Sequence, residues 1–252
     1  MPNDRRLRPF LTLQIQPRLQ NRDATWAVGD PAVHRHLDRL SNSALRVIRY
    51  PVQITTEGGA ALAELDGGGP AARFLLVLTH GAGGSAGAPD LLAVRDAARP
   101  LGGLVARVTQ PYRVRGARAP GSPVRQDAAW AEVVTTLRKL APAVPLIQGG
   151  RSNGARVACR TAAAVGARAV IALAFPLCPP GRSHAVSRAP ELRAAREGGA
   201  RVLVVNGDRD PFGVPGAQDA DRVVVVPGET HALKGHRTVI VDAVAEWLPT
   251  VL

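Results

Sequence analysis

The chain has 252 residues, of which 46% are hydrophobic and 21% are charged, so it can fold around one sizeable core. This composition excludes intrinsic disorder of the whole chain, and no apolar run approaches the roughly 20 residues that cross a bilayer. The formal net charge of +12 rests on arginines, which are scattered singly after residue 50. Without a basic stripe or a recognisable nucleic-acid module, this charge predicts no specific nucleic-acid binding.

The first part of the chain, residues 1–48, is polar and arginine-rich and has little periodicity. Apolar residues at helical spacing predict one short helix over residues 32–40. We expect the segment to be a mobile basic extension, dispensable for folding, that precedes a single domain over residues 49–252.

The N-terminus and the cysteines indicate a cellular location. Gln14 and Gln16 interrupt the apolar residues near the N-terminus, which therefore do not form the continuous apolar region of a signal peptide. Cys159 and Cys178 make no disulfide framework and fit a reducing compartment. We expect a cytoplasmic protein.

From Tyr50 onward, apolar runs alternate with amphipathic segments. Two runs around Gly58 predict a β-hairpin over residues 52–56 and 60–65. Further strands are predicted over residues 74–79, 104–109, 144–148, 169–175, 202–206 and 222–226. Helices are predicted over residues 90–99, 126–140, 153–165, 189–196 and 236–248. This alternation is typical of an α/β fold in which helices flank a mostly parallel sheet.

The pattern Gly-x-Ser-x-Gly occurs twice, centred on Ser85 and on Ser152. It is typical of a nucleophile elbow, a sharp turn between a strand and a helix that exposes a reactive serine. Ser152 lies between the predicted strand 144–148 and the predicted helix 153–165, whose N-terminal dipole would face a developing oxyanion. Ser85 lies inside a loose glycine-rich loop before Pro89, so Ser152 is the predicted nucleophile.

A second glycine-rich sequence, His80-Gly81-Ala82-Gly83-Gly84, follows the predicted strand 74–79. Where a nucleophile elbow is present, such an early loop supplies one backbone N–H of the oxyanion hole. We assign this N–H to Ala82, with Gly83 as the alternative, and the second N–H to Asn153. A phosphate-binding loop is disfavoured, because the sequence matches neither G-x-x-x-x-G-K-S/T nor a clean G-x-G-x-x-G.

A reactive serine needs a base and an acid that orients the base, and here they should follow it in the order acid, histidine. The predicted strand 202–206 leads into Asp208 and Asp210, and the following predicted strand, 222–226, leads into His231. His231 competes with His184, which precedes both aspartates, and with His236, which lies in the last predicted helix. Either aspartate can be the acid on this pattern, and the other would then be a turn residue.

Several motifs occur in a family-typical order and spacing: His80-Gly81-Ala82-Gly83-Gly84, Gln110-Pro111-Tyr112, Gly149-Gly150-Arg151-Ser152-Asn153-Gly154, Phe175-Pro176-Leu177-Cys178-Pro179-Pro180-Gly181, Asp208-Arg209-Asp210-Pro211-Phe212-Gly213 and His231-Ala232-Leu233-Lys234. On these motifs the chain, from Val52 to its C-terminus, resembles the KANL/Tex-type α/β-hydrolase-like family. The resemblance implies a dienelactone-hydrolase-like core and favours Asp210 as the acid.

The sequence departs from this family at Asn153 and Ala155, where Met and Gly are expected, and at Cys178, where a histidine is common. A backbone N–H still follows the serine, so the oxyanion-hole assignment is unchanged. The family's substrates are largely unassigned, and some eukaryotic members are subunits of a chromatin-modifying complex. The resemblance therefore bears more on the fold than on the reaction.

These features predict an α/β-hydrolase fold with a mostly parallel sheet, an N-terminal antiparallel hairpin and no large lid domain. In this fold, lids are commonly inserted after the strand that follows the nucleophile helix. In this chain that segment, residues 176–200, is short and already holds a predicted helix. The predicted activity is that of a serine hydrolase that cleaves an ester or related acyl compound, with Ser152 as nucleophile and His231 as base.

The predicted substrate is a small acyl compound, and Tyr112, Phe175 and Phe212 are candidates for its pocket. The cysteines and histidines have no metal-ligand spacing, and the chemistry requires no cofactor. The alternative is a non-catalytic scaffold of the same fold that binds a protein partner. The presence of all three triad groups and both oxyanion-hole segments favours the enzyme over the scaffold. No membrane association is expected, and no protein partner is identified.

Overall fold

The structure is a computed structural model that describes residues 13–15, 50–68, 71–181 and 186–252. Its strands are β1 Leu13–Ile15, β2 Tyr50–Thr56, β3 Gly59–Asp66, β4 Phe74–Thr79, β5 Gly103–Thr109, β6 Leu146–Arg151, β7 Ala169–Leu173, β8 Arg201–Gly207 and β9 Arg222–Val226. Its α-helices are α1 Pro89–Ala98, α2 Pro111–Val114, α3 Pro123–Arg138, α4 Asn153–Thr161, α5 Ala189–Glu197 and α6 Arg237–Trp247. Short 3₁₀ helices follow α1 and α6.

The strands form one sheet in the order β1-β2-β3-β5-β4-β6-β7-β8-β9. β4 to β9 are parallel to one another, whereas β1, β2 and β3 pair in antiparallel fashion and join the sheet through β5. β4 is buried at every position, which explains its uninterrupted apolar sequence. The predicted fold class, with its N-terminal hairpin, is confirmed.

Helices cover both faces of the sheet. One apolar cluster packs α1 and α6 on one face. Two further clusters cover the other face, one around α3 and the other around α4 and α5. Because parallel strands end at the same edge of a sheet, the loops that follow β4, β5, β6, β8 and β9 lie on one side of the molecule. Polar side chains converge there.

Most of the predicted strands differ from the structure by a few residues at one or both ends, and two of these differences have identifiable reasons. β6 continues through Gly149 and Gly150, which pair with both neighbouring strands. These positions require glycine, because a Cβ on Gly149 would lie 2.4 Å from the Ile171 oxygen and a Cβ on Gly150 would lie 2.6 Å from the Thr79 oxygen. β7 ends at Leu173 because Ala174 has a φ of +44°, which breaks the extended backbone. The glycines of β6 therefore indicate a close approach of the neighbouring backbones, whereas the low strand propensity of glycine predicted the end of the strand.

β1 and the four-residue helix α2 were not predicted. β1 pairs with β2 through the register Leu13↔Ile54 to Ile15↔Val52. The predicted helix over residues 32–40 lies outside the described residues. In the described part of the chain, no helix combines the length and apolar character needed to cross a bilayer.

The prediction that residues 1–48 are dispensable can be tested by a truncation that begins at Tyr50. β1 contributes only three residue pairs at the edge of the sheet, so the shortened chain should retain a cooperative thermal transition. Differential scanning calorimetry of both forms checks this. A decrease in Tm of about 10 °C or more would contradict the prediction, since it corresponds to several kcal/mol for a domain of this size.

Candidate active site

Ser152 lies at a strained turn between β6 and α4. Its backbone has φ +52° and ψ −115°, a region that residues other than glycine rarely occupy. The turn requires small neighbours, because a Cβ on Gly154 would lie 2.6 Å from the oxygens of both Thr79 and His80. The Ser152 N–H donates to the Leu173 oxygen at 2.9 Å, which ties the turn to β7. The sequence pattern therefore corresponds to a real elbow.

A chain of hydrogen bonds connects Ser152 to a histidine and an aspartate. The Ser152 Oγ lies 2.8 Å from His231 Nε2, and His231 Nδ1 lies 2.8 Å from Asp210 Oδ2. For the serine hydroxyl to donate to Nε2, the histidine must carry its proton on Nδ1 and donate it to Asp210. The structure thus brings together side chains from the loops after β6, β8 and β9.

The two candidate acids occupy different environments. The Asp210 side chain is completely buried and bonds to His231. Asp208 is exposed, and its Oδ1 accepts a hydrogen bond of 2.7 Å from the Gly228 N–H. Asp208 therefore lies in the position of a turn residue, and Asp210 is the aspartate in contact with the histidine.

Asn206, a residue that the sequence analysis did not single out, supports the acid. This fully buried side chain accepts a hydrogen bond from the Phe175 N–H at 2.8 Å and donates to the Phe175 oxygen at 3.1 Å. Its amide also donates to Asp210 Oδ2 and to the Gly213 oxygen, both at 3.3 Å. Asn206 thereby connects the end of β7 to the loop that carries the acid.

The predicted oxyanion-hole loop approaches the nucleophile closely. A Cβ on Gly81 would lie 3.2 Å from the Ser152 Cβ, so a larger residue there would crowd the nucleophile elbow. Within the described residues, the N–H groups of Ala82 and Asn153 have no hydrogen-bond partner in the protein. Asn153 is the first residue of α4, where backbone N–H groups lack an intrahelical acceptor. Both groups are free to bind an anion.

The orientation of the Ala82 N–H is fixed through the peptide that joins it to Gly81. The Gly81 oxygen accepts hydrogen bonds from His80 Nδ1 at 2.8 Å and from the Gly84 N–H at 2.9 Å. Because a trans peptide is planar, holding this oxygen directs the Ala82 N–H to the opposite side. His80 Nε2 accepts from the Gln110 N–H, and burial lowers the pKa of His80, so the ring is held neutral with its proton on Nδ1.

Two arginines bind other carbonyls of the same loop. Arg113 Nε donates to the Gly84 oxygen at 3.1 Å, and Arg107 Nη1 donates to the Ala86 oxygen at 2.8 Å. Arg107 is completely buried, and the carboxylates of Asp66 and Glu64 each lie 2.8 Å from its Nη2. Such a buried ion pair is better explained by fixing a conformation than by a gain in stability.

The loop that carries His231 is also fixed by hydrogen bonds that involve Arg151 and Glu229. Arg151 Nη2 donates to the His231 oxygen at 2.7 Å, and Arg151 Nε pairs with Asp90 Oδ2 at 2.8 Å. Burial raises the pKa of Asp90, and the Arg151 guanidinium opposes that shift. Farther along the loop, the Glu229 carboxylate accepts hydrogen bonds from the N–H groups of Lys234 and Gly235. The histidine is therefore anchored through its backbone as well as its ring.

Comparison with known proteins identifies the family. A model of the alpha/beta hydrolase domain matches residues 72–231, which is more than half of the chain. The chain belongs to the α/β-hydrolase family. The search of curated proteins found no match.

Solved structures of other proteins share the fold at low sequence identity. Est1E from Butyrivibrio proteoclasticus is 18% identical with a TM-score of 0.64, over 79% of this chain and 98% of its own. XC6422 from Xanthomonas campestris, described as a serine hydrolase without a lid, is 21% identical with a TM-score of 0.61, over 82% and 99%. Dienelactone hydrolase from Anabaena variabilis is 17% identical with a TM-score of 0.64, over 82% and 100%.

The three predicted pocket residues of this α/β-hydrolase occupy distinct places. Tyr112 is 5% exposed, its ring meets His80 edge-on, and burial raises its pKa to about 12. Phe175 has no exposed surface and packs in the cluster around α4 and α5, so it contributes to the core and offers no surface to a substrate. Phe212 is half-buried and lies against the His231 ring.

The remaining candidates of the sequence analysis lie apart from this constellation. Ser85 is exposed in the loop before α1. His236 precedes α6 and lies 3.0 Å from Glu229 Oε1. His184 lies outside the described residues. Among the residues that are described, no group of three or more His, Cys, Asp or Glu side chains is arranged to hold a metal ion.

Both cysteines are expected to be inessential for catalysis. Cys159 is buried on α4, and burial raises the pKa of its thiol, which suppresses the reactive thiolate. Cys178 is half-buried, and its N–H donates to the Phe212 oxygen without involving the sulfur. Alkylation of the folded protein with iodoacetamide should therefore spare Cys159, and Cys178→Ala should retain turnover. Loss of turnover in a folded Cys178→Ala variant would contradict this expectation.

Proposed function

We propose that the protein is a serine hydrolase that cleaves a small ester or a related acyl compound. The observation that carries this proposal is the continuous pair of 2.8 Å hydrogen bonds from Ser152 through His231 to Asp210. A scaffold that only binds a partner has no physical need for a buried aspartate aligned with a histidine and a serine on a strained turn.

The reaction proceeds in two acyl-transfer steps. Ser152 Oγ attacks the carbonyl carbon of the substrate while His231 Nε2 removes its proton, and Asp210 stabilises the imidazolium that forms. The proton then passes to the leaving group as its bond to the carbonyl carbon breaks, which leaves an acyl-enzyme. Water activated by the same histidine attacks the acyl-enzyme and releases the acid and the free serine.

The negative charge on the carbonyl oxygen is stabilised by the N–H groups of Ala82 and Asn153. Each such donor typically contributes about 3 kcal/mol to transition-state stabilisation. Asn153 begins α4, so the helix dipole adds to the same effect. The hydrogen bonds to the Gly81 oxygen hold the first donor in place before the substrate arrives, which avoids reorganisation during the reaction.

The experiment that tests the proposal combines covalent labelling with turnover. The full chain should react with a fluorophosphonate probe and hydrolyse p-nitrophenyl esters or thioesters of short acyl groups. Ser152→Ala should lose both activities, whereas Ser85→Ala, the matched variant at the other Gly-x-Ser-x-Gly sequence, should retain them. Peptide mass spectrometry should place the label on Ser152.

Two outcomes would contradict the proposal. A label on a residue other than Ser152 would contradict the assignment of the nucleophile. A folded protein that neither reacts with the probe nor hydrolyses any ester or thioester in the panel would favour a non-catalytic scaffold of the same fold.

A further inference from the structure

The loop after β8 supplies an aromatic ring to the histidine in addition to the acid. The ring centroids of Phe212 and His231 are 4.3 Å apart, and the two planes are inclined by 35°. The Asp210 carboxylate contacts the edge of the imidazole through Nδ1, at 2.8 Å. The imidazole is therefore contacted on its edge by a carboxylate and on its face by an aromatic ring.

One tight turn, Asp210–Gly213, presents both groups. The Gly213 N–H donates to the Asp210 oxygen at 2.9 Å, and Pro211 occupies the second position, where its fixed φ suits such a turn. Asp210 Oδ1 accepts a hydrogen bond of 2.9 Å from the Phe212 N–H, so the carboxylate fixes the backbone of the aromatic residue. The Phe212 oxygen in turn accepts from the Cys178 N–H at 2.8 Å, which anchors the turn to the loop after β7.

We propose that Phe212 is a positioning residue whose ring favours the imidazolium form of His231 during acyl transfer. This inference rests on the proposed function, since the histidine becomes a cation only when it removes the proton of Ser152. It also assigns Phe212 a role different from that of a wall of the substrate pocket.

The physical basis is the quadrupole of the aromatic ring. The face of a phenyl ring is electronegative and attracts a cation whose centre lies within about 6 Å of the ring centroid. As the serine oxygen bonds to the substrate carbon, its proton moves to His231 Nε2, and positive charge appears directly against Phe212. The neutral imidazole of the resting enzyme gains much less from the same ring, so the effect stabilises the transition state more than the ground state.

The sharpest test places fluorinated phenylalanines at position 212 of the full chain, because fluorine withdraws charge from the ring face and changes its size little. The series runs from phenylalanine through 4-fluoro- and 3,5-difluoro- to 3,4,5-trifluorophenylalanine. Reaction with a fluorophosphonate gives the limiting inactivation rate, kinact, and the half-saturating probe concentration, KI. We expect kinact to fall stepwise, by about 3- to 30-fold over the series, with KI unchanged.

Ordinary substitutions and a matched position serve as controls. Phe212→Tyr keeps an aromatic face and should retain most of kinact, whereas Phe212→Leu should lose at least as much as the trifluorinated ring. The same fluorinated residues at Phe74 should leave kinact unchanged, because that fully buried ring lies at the start of β4, at the opposite edge of the sheet. Thermal melting of each variant verifies that it is folded.

Three results would overturn the inference. A kinact that does not change with fluorination would exclude an effect of the ring face. A rise in KI at constant kinact would assign Phe212 to the substrate pocket. Equal losses of kinact on fluorination of Phe74 and of Phe212 would show that both rings act only through packing. If the wild-type protein does not react at Ser152, the proposed function itself fails, and this inference fails with it.

Discussion

Asp210→Asn is expected to reduce ester turnover by about 10⁴-fold, the effect of the equivalent change in serine proteases. The environment of Asp210 explains why an amide cannot substitute. Oδ1 accepts the Phe212 N–H at 2.9 Å, and Oδ2 faces His231 Nδ1 and, at 3.3 Å, the amide of Asn206. An amide oxygen at the Oδ1 position keeps the hydrogen bond from the Phe212 N–H and leaves the NH₂ group facing His231. That orientation stabilises the histidine tautomer with its proton on Nε2, which cannot accept the proton of Ser152.

Asp208→Asn is the matched control, two residues away on the same loop. Its exposed side chain accepts a hydrogen bond from the Gly228 N–H, and an amide oxygen can accept the same bond. Turnover should fall less than about tenfold, through stability alone. Steady-state hydrolysis of a p-nitrophenyl ester by both purified variants measures the difference. A severe loss in Asp208→Asn with a mild one in Asp210→Asn would contradict the assignment of the acid.

The candidate nucleophile, the candidate histidine and the loop of the acid could be predicted because their positions follow from chain order and strand order together. The choice of Asp210 over Asp208 came from the family resemblance. A strained elbow leaves a local signature of glycines on both sides of a serine, as Gly150 and Gly154 show. The acid and the histidine have no such local signature. They were found because the carboxyl ends of parallel strands meet at one edge, so residues just after β8 and β9 must lie near Ser152.

The residues that support this site could not be predicted, since their roles depend on contacts between distant parts of the chain. Arg107 is one of many single arginines in the sequence, and composition suggests a solvated surface position. The register of β3 and β5 instead pairs Asp66 with Val105 and brings its carboxylate to Arg107 inside the protein. In the oxyanion-hole loop, Arg107 donates to the Ala86 oxygen. Because every residue has a backbone oxygen, the sequence contains no signal for this contact.

Phe212 illustrates a different limit of prediction from the sequence. An aromatic residue beside a candidate acid is compatible with a pocket wall, with the core and with a contact to the histidine, and the sequence does not separate these. The separation comes from the turn Asp210–Gly213, whose hydrogen bonds direct carboxylate and ring to the same imidazole. Asn206 was missed for a related reason, because at the end of an apolar strand it looks like the start of a turn.

Asn206→Leu is expected to destabilise the fold and to impair catalysis independently. The substitution keeps the branched shape and the number of heavy atoms of the side chain but leaves the N–H and the oxygen of Phe175 without their partners in a fully buried site. Each unsatisfied group costs about 1–3 kcal/mol, so the free energy of unfolding should fall by about 3–5 kcal/mol. For a chain of this length, that corresponds to a decrease in Tm of about 10–15 °C.

The loss of activity should exceed what unfolding explains, because Asn206 also donates to Asp210 Oδ2 and to the Gly213 oxygen. Without these bonds the turn that carries the acid can shift, and a misplacement of that kind costs about 10- to 100-fold in turnover. Gln148→Leu is the matched control, since this buried amide on β6 bonds to Trp130 and to the Ala158 oxygen and forms no hydrogen bond with any of the three triad residues. It should lower Tm comparably while the folded enzyme keeps its turnover, measured well below both transitions. Equal losses of turnover in the two variants would show that Asn206 acts only through stability, and unchanged turnover in Asn206→Leu would remove it from the support of the acid.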